Sequence, residues 1–131
     1  MFGRPRERAL GRKQLGRIAE EQAARYLAAR GYRILARNFR AADGEVDIVA
    51  DRRGTIAFVE VKARTSDEVL QPRDSVTGRK RGRIARAAAV FLGTRVRREV
   101  PTRYDVVEVL LTPDGRVQRT THLEGAFQPQ G

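Results

Sequence analysis

The sequence contains no cysteine and no tryptophan, and it has only one histidine. Without cysteine no disulfide can form, and a single histidine argues strongly against a zinc cluster built from the usual thiolate and imidazole ligands. Any metal ion should therefore be a hard cation held by carboxylate oxygens, which indicates Mg²⁺ or Mn²⁺. The sequence also has no glycine-rich phosphate loop and no Ser/His/Asp or Cys/His set, so P-loop and acyl-transfer chemistry have no support.

Long hydrophobic runs are absent as well. No apolar stretch approaches the roughly 20 residues of a membrane-spanning helix, and the N-terminus lacks the apolar segment of a signal peptide. The length of 131 residues fits one domain with a modest core. We therefore expect a cytoplasmic protein of one domain that does not enter a membrane.

Positive charge is what the sequence has in excess. Lysine and arginine together number 27 against 16 acidic residues, which leaves a net charge of +11. Such a balance favours a polyanionic partner, with nucleic acid as the leading candidate and an anionic membrane surface as the alternative. Nearly all of these cations are arginines, and the only lysines are Lys13, Lys62 and Lys80.

The most informative stretch is residues 44–64, GEVDIVADRRGTIAFVEVKAR. Its apolar residues alternate with polar ones on both sides of a turn at 51–54, which predicts a β-hairpin. If Asp51 pairs with Gly54, Asp47 lies opposite Phe58. One face of the hairpin then carries three carboxylates and one ammonium, those of Glu45, Asp47, Glu60 and Lys62.

These carboxylates suggest a metal site. In the predicted register Glu45 lies opposite Glu60, a like-charge pair that destabilises a hairpin unless a cation binds. Asp47 and Glu60 would be diagonal neighbours with Cβ atoms about 7 Å apart, and two such carboxylates can share one Mg²⁺ at about 2.1 Å per oxygen. Lys62 would then hold or deprotonate a water. The alternative is a solvated hairpin edge, although two large apolar residues on the same face disfavour it.

A first helix is predicted at 14–30, because apolar residues recur at helical spacing and Gly31 follows as a C-terminal glycine. Glu20 falls beside Leu27 at the edge of the apolar stripe and could lean over the sheet as a fourth carboxylate. The alternative is a solvated glutamate at the helix boundary. Residues 1–13 are basic and nearly free of core residues, which predicts a mobile arm.

The rest of the pattern predicts the order αβββαβ, followed by one short further strand. Ser75 is the expected N-cap of the second helix, and the lone His122 is expected at the surface or at a cap. The domain should occupy 14–121, and 122–131 should be a loosely docked tail. In chain order we predict strands at 32–40, 45–50 and 56–62, a loop at 65–74, a helix from Ser75 to Gly93, and strands at 103–111 and 116–121.

The second helix carries a basic stripe. Arg79, Arg83 and Arg86 recur at helical spacing beside the apolar face, as in helices that follow a phosphate backbone. Lys80 lies within that apolar face and should extend along the helix or reach toward the sheet. The alternative is an ordinary solvated helix face.

These residues together resemble the restriction-endonuclease-like core with its PD-(D/E)xK motif. More closely, the chain resembles the YraN-type family of uncharacterised bacterial proteins, which are related in fold to archaeal Holliday junction resolvases. The resemblance spans about residues 15–127 and is most specific in GEVD at 44–47 and FVEVK at 58–62. Val46 stands where the motif has proline, and Ala19 stands where the family usually has glycine.

The resemblance implies an α/β fold with a central mixed sheet of four to five strands between two helices. It implies a nuclease that hydrolyses phosphodiester bonds, with DNA favoured over RNA and branched DNA a candidate substrate; a binding module without catalysis is the alternative. Resolvase-like relatives act as dimers, so a homodimer is one expectation. The implied catalytic residues are Asp47, Glu60, Lys62 and Glu20, with Asp47 and Glu60 on Mg²⁺ or Mn²⁺. From the residue pattern itself we add Glu45 as a third metal ligand, and we predict nucleic-acid contacts for Arg64, Arg79, Lys80, Arg83 and Arg86.

Overall fold

The computed structural model describes residues 9–66 and 76–128. Two helices and five strands follow one another in the predicted order, so the predicted α/β class is confirmed. None of the helices in the described ranges is long and apolar enough to span a membrane. The elements are α1 (Arg12–Ala29), β1 (Arg33–Ala41), β2 (Gly44–Arg52), β3 (Thr55–Thr65), α2 (Gly78–Arg95), β4 (Thr102–Leu111) and β5 (Val117–Leu123).

The five strands form one mixed sheet in the order β1-β2-β3-β4-β5. All neighbouring pairs are antiparallel except β3 and β4, which are parallel. A parallel pair needs a crossover connection, and α2 provides it. Alternate residues of the strands face opposite sides of the sheet, so α1 packs on the side that includes Ile48, Ala50, Ala57 and Val59, whereas α2 packs on the side that includes Val49, Ile56 and Phe58.

The β2–β3 turn differs from the prediction. Arg52 pairs with Thr55, so the loop consists of Arg53 and Gly54, both with positive φ as a type I′ turn requires. The predicted pairing of Asp51 with Gly54 was wrong; the Asp51 side chain instead accepts a hydrogen bond of 3.0 Å from the Gly54 N–H.

The corrected register shifts every cross-strand partner by two residues. Phe58 pairs with Val49 rather than with Asp47, and Glu45 pairs with Arg40 of β1. A shift of two residues preserves which side of the sheet each residue faces. The predicted direct opposition of Glu45 and Glu60 was therefore wrong. The alternation is also interrupted in β2 at Asp47, because Val46 packs on the α2 side of the sheet and Ile48 on the α1 side.

Both helices begin differently from the prediction. α1 starts at Arg12 rather than Gln14, because Gly11 is its N-cap and donates its N–H to the Gln14 side chain at 3.1 Å. α2 starts after Thr77, whose hydroxyl accepts from the Lys80 N–H at 3.2 Å. The expected N-cap Ser75 lies outside the described residues, as do most of the expected arm and most of the 65–74 loop.

Parts of the segment predicted to be a loose tail contact the domain, although residues 123–126 and 128 are exposed. β5 continues to Leu123, the Ala126 N–H donates to the Tyr104 carbonyl at 2.8 Å, and Phe127 is buried in the core under α2. His122 was predicted at the surface or at a cap; instead it lies within β5, and its side chain is only 8% exposed.

His122 is buried because it belongs to a polar network around Asp105, which is fully buried. Asp105 accepts two hydrogen bonds from the Arg103 guanidinium, at 2.8 and 2.9 Å, and one of 2.9 Å from the Gly125 N–H. The His122 Nε2 lies 2.8 Å from the same carboxylate, and Arg103 also donates to the Tyr32 hydroxyl. Burial alone would raise the pKa of Asp105, but the hydrogen bonds from His122, Arg103 and Gly125 hold it below its ordinary value.

Gly44 sets the distance between α2 and the sheet. A Cβ at this position would lie 2.0 Å from the Arg83 carbonyl oxygen and 2.9 Å from the Ala87 nitrogen. Both are backbone atoms of α2 and cannot rotate away. The start of β2 is thus in direct contact with the helix backbone that carries the basic stripe.

We expect Gly44→Ala to destabilise the protein by about 1–3 kcal/mol, because α2 must move to accept the methyl group. Urea unfolding would measure the change. The matched control is Gly93→Ala, also on α2, where a Cβ meets nothing within 4 Å; it should leave the protein as stable or stabilise it by about 0.4–1 kcal/mol. Equal effects of the two substitutions would contradict the steric role of Gly44.

Candidate functional site

The candidate site lies where β2 and β3 separate. Their pairing runs from the turn only as far as Ile48 and Val59. Beyond that pair, β2 continues along β1 and β3 continues along β4. Asp47 is the first residue past the separation, and its Oδ2 accepts a hydrogen bond of 2.8 Å from the Val61 N–H. The Asp47 side chain therefore satisfies a backbone donor that the strand ladder leaves unpaired.

A cavity of about 250 Å³ opens at this separation. Glu20 reaches it from α1, and Lys80 and Arg83 reach it from α2, although the two helices pack on opposite sides of the sheet. The gap between the strands lets both helices contribute to one space. The structure thus brings together all four predicted carboxylates; the lining consists of Glu20, Glu45, Asp47, Glu60, Val61, Lys80, Arg83 and Ile84.

Asp47 and Glu60 form the centre of the cavity. Burial, the negative charge of Glu60 and a hydrogen bond with Glu60 raise the pKa of Asp47 to about 8, with a smaller contribution from the charge of Glu20. The hydrogen bond from Val61 acts in the opposite direction and is outweighed. Without a cation, Asp47 is therefore largely protonated at neutral pH.

Lys80 provides a positive charge at the same place. Its Nζ lies 3.6 Å from the Glu60 Oε2, and the Lys80 side chain is 52% exposed whereas that of Glu60 is 14% exposed. The ammonium therefore bridges the buried carboxylate and the surface. The prediction that Lys80 extends along α2 or reaches toward the sheet describes this position.

Lys62 and Arg64 lie beside the carboxylate cavity. Lys62 lines an adjoining cavity of about 290 Å³, and Lys80 lines both cavities. Arg64 lines the same adjoining cavity, but its Nε lies 3.1 Å from the Glu108 Oε2 and only 11% of its side chain is exposed. The Arg64 charge is thus largely neutralised within the sheet.

Glu45 faces two arginines. Its Oε2 accepts a hydrogen bond of 2.9 Å from the Arg40 Nε, and its Oε1 lies 3.9 Å from a terminal nitrogen of Arg83. The carboxylate predicted as a third metal ligand is therefore already engaged by two guanidinium groups at the edge of the cavity.

The donor set of the cavity fits a hard divalent cation. Among the described residues, no group of three or more His, Cys, Asp or Glu side chains is arranged to hold a metal ion. Mg²⁺, however, is commonly bound through one or two carboxylates, with waters and substrate phosphates completing its shell. Asp47 and Glu60 line the same cavity, and the charge of Glu60 raises the pKa of Asp47, so one ion held by both carboxylates could replace the proton on Asp47.

A groove of about 910 Å³ adjoins the cavity between the β1–β2 turn and α2. It shares Glu45, Lys80 and Arg83 with the cavity. Sequence reasoning missed Arg40, which comes from β1; the signal that could have found it is the tight β1–β2 turn, which pairs Arg40 with Glu45. The groove is lined by Arg40, Ala41, Asp43, Gly44, Glu45, Thr77, Arg79, Lys80, Arg83 and Arg86.

Comparison with known proteins places the chain in a family. The model of the uncharacterised protein family UPF0102 matches residues 19–109, which include every residue of the carboxylate cavity. The chain belongs to this family. The YraN-type resemblance is thereby confirmed.

Relatives in the UPF0102 family are similar along most of their length. A UPF0102 protein of Pelotomaculum thermopropionicum is 44% identical over 116 residues, which is 88% of this chain and 97% of the relative. One of Moorella thermoacetica is 46% identical with the same coverage. A third, of Trichlorobacter lovleyi, is 46% identical over 118 residues, covering 89% of this chain and 92% of the relative.

Proposed function

We propose that this UPF0102 protein is a metal-dependent nuclease that hydrolyses phosphodiester bonds in DNA, with branched DNA as a candidate substrate. The observation that carries the proposal is that Asp47 and Glu60 line one cavity with Glu20, and that this cavity shares Glu45, Lys80 and Arg83 with a large basic groove. A site that concentrates negative charge beside a positive groove suits a cation bound together with a polyanion.

Asp47 and Glu60 would hold Mg²⁺ or Mn²⁺. The bound ion supplies Lewis-acid activation of water and of the phosphate. The hydrogen bond from Val61 fixes the orientation of the Asp47 carboxylate. Glu20 lines the same cavity, and its carboxylate can accept a hydrogen bond from the attacking water and so orient it.

The two lysines next to the carboxylates have separate tasks. Lys62 orients the attacking water or stabilises the negative charge that develops on the phosphate. Lys80 neutralises Glu60 at 3.6 Å before substrate arrives. A compact ammonium whose pKa can shift suits both positions better than a planar guanidinium, which is consistent with lysine at 62 and 80 in a chain whose basic residues are nearly all arginine.

The second candidate function is a nucleic-acid-binding module without catalysis. The observation that favours it is the Lys80 ammonium, which already neutralises one carboxylate of the pair. In that case the basic groove would bind the phosphate backbone of a nucleic acid, and the cavity would hold no divalent ion.

A cleavage screen separates the two functions. The purified protein should cut at least one of branched, duplex or single-stranded DNA or RNA when Mg²⁺ or Mn²⁺ is present, and EDTA should stop the reaction. Lys62→Arg should lower turnover by about 100-fold or more, because the guanidinium is too large and too basic to serve the water. The matched control is Lys13→Arg on the exposed side of α1, which should cut at the wild-type rate.

Binding without cleavage of any substrate in either metal would contradict the nuclease and support the binding module. Equal turnover of Lys62→Arg and wild type would instead remove Lys62 from the mechanism and leave the nuclease standing.

A further inference from the structure

At the border between the cavity and the groove, one carboxylate holds two guanidinium groups from different elements. The Arg40 Nε, on β1, lies 2.9 Å from Glu45, and an Arg83 terminal nitrogen, on α2, lies 3.9 Å from it. Both arginines are well exposed, Arg40 at 75% and Arg83 at 50% of the side chain, whereas Glu45 is 29% exposed. Exposed ion pairs of this kind stabilise a fold by only about 0–1 kcal/mol, so their convergence is not explained by stability.

The backbone fixes where both guanidinium groups begin. Arg40 pairs directly with Glu45 in the β1–β2 ladder, next to a turn whose residues Ala42 and Asp43 both have positive φ. The carbonyl of Arg83 is the atom that a Cβ on Gly44 would strike at 2.0 Å. Strand and helix are therefore in contact at this point, and the two side chains start from fixed positions on either side of Glu45.

The charge in the groove favours an anion. Five cationic side chains line it, those of Arg40, Arg79, Lys80, Arg83 and Arg86, against the two carboxylates of Asp43 and Glu45. Each guanidinium has five N–H donors, and the contact of Arg40 with Glu45 uses its Nε. The terminal nitrogens of Arg40 remain for a phosphate, which arginine recognises through paired hydrogen bonds.

We propose that Arg40 and Arg83 form a binding subsite for a backbone phosphodiester adjacent to the one at Asp47 and Glu60. The inference rests on the proposed function, because that function defines the reference phosphate. The groove and the cavity share Glu45, Lys80 and Arg83, so a nucleic-acid strand that lies in the groove passes directly beside the cavity.

Affinity measurements in the Asp47→Asn background test the subsite without cleavage of the probe. With a fluorescein-labelled DNA duplex in EDTA, Arg40→Gln and Arg83→Gln should each weaken binding by about tenfold. Each should also reduce the slope of log affinity against log salt by about 0.9. The matched control is Arg33→Gln, on the same strand, 76% exposed and paired with Asp51 at 3.3 Å; it should change affinity less than twofold.

A single methylphosphonate linkage, which removes one phosphate charge, then locates the subsite. With labelled single-stranded DNA, the loss caused by Arg40→Gln should disappear when the neutral linkage occupies the subsite, and it should persist at other positions. Arg40→Lys keeps the charge without the guanidinium and should recover only part of the affinity. Circular dichroism and urea unfolding establish that each variant is folded before its affinity is compared.

The outcomes separate the subsite from the nuclease. Equal losses in Arg40→Gln, Arg83→Gln and Arg33→Gln would overturn the subsite and leave only a general positive field, even if the wild-type protein cleaves DNA. A loss of affinity in Arg40→Gln and Arg83→Gln but not in Arg33→Gln, together with the methylphosphonate effect, would support the subsite even if no substrate is cut. A methylphosphonate effect that is the same at every linkage would also overturn it.

Discussion

Replacing Asp47 with asparagine is expected to reduce metal-dependent cleavage by about a thousandfold. Asparagine keeps the shape of the side chain and can still accept the hydrogen bond from Val61. It removes one of the two carboxylates that would hold the ion, and the Lewis-acid contribution of such an ion is several kcal/mol, at about 1.4 kcal/mol for each factor of ten. Cleavage and Mn²⁺ affinity, measured by calorimetry, should fall together. Nucleic-acid affinity in EDTA should stay level or rise, because one repulsive charge is lost.

The same substitution should stabilise the metal-free protein, and more so at pH 8 than at pH 5. The pKa of Asp47 is raised from 3.8 to about 8, so the folded state keeps a proton that the unfolded chain releases. The contribution of Asp47 to the free energy of unfolding is therefore largest below about pH 4. It decreases as the pH rises from about 4 to about 8, and it does not change further above about pH 8. The asparagine side chain does not titrate and can donate to Glu60 permanently. The expected gain at pH 8 is on the order of a few kcal/mol.

Urea unfolding in EDTA at the two pH values measures this effect. Glu99→Gln, which neutralises an exposed carboxylate distant in sequence from the cavity residues, is the control and should change stability by less than about 0.5 kcal/mol at both. If Asp47→Asn leaves Mn²⁺ affinity unchanged, Asp47 and Glu60 do not form a metal site. If it destabilises the protein at pH 8, the pKa of Asp47 is not raised by burial and by the charge of Glu60.

Asp105→Ala is expected to destabilise the protein by about 3–5 kcal/mol, a loss large enough to unfold many domains of this size. The carboxylate is fully buried, and its removal leaves the Arg103 guanidinium and the Gly125 N–H without their acceptor. The cost exceeds what the pair itself contributes, because the Gly125 N–H and a guanidinium that is only 28% exposed lose an acceptor that water replaces incompletely.

The control is Glu124→Ala at the edge of the same network. Glu124 is 50% exposed and lies 3.7 Å from Arg103, so its loss should cost less than about 1 kcal/mol. The lowered pKa of Asp105 adds a pH signature, since its contribution to stability is present above its ordinary pKa of 3.8 and is lost as the pH falls through the lower folded value. Equal losses for the two variants would contradict a buried structural network.

Several elements of the fold followed from local patterns alone. The apolar spacing around Ala19 and Ala23 predicted a helix correctly. The spacing was informative because both residues are fully buried in the core. The strand alternation predicted that Glu45, Asp47 and Glu60 lie together, and all three line one cavity. Parity alone does not account for this, because Val46 packs on the α2 side of the sheet and Ile48 on the α1 side, so the alternation is broken in β2 at Asp47.

Other parts of the candidate site depend on contacts that no local pattern encodes. The ion pair of Lys80 with Glu60 joins α2 to β3, and it forms because Gly44 lets the helix backbone approach β2. The burial of His122 likewise depends on Asp105 in the neighbouring strand. A lone histidine near a chain end has no partner at a regular spacing, so its sequence position indicated a surface residue.

The sequence by itself determined the order of helices and strands and the excess of positive charge. These properties depend on composition and on the periods of helix and strand, which can be recognised in each segment without knowledge of the segments that pack against it. The tertiary structure decided that β2 and β3 separate at Asp47, that Glu20 and Lys80 meet there from opposite sides, and that Glu45 lies between Arg40 and Arg83. The physical reason is that a side chain at a strand separation can reach either side of the sheet, and only the packing of both helices selects its partners.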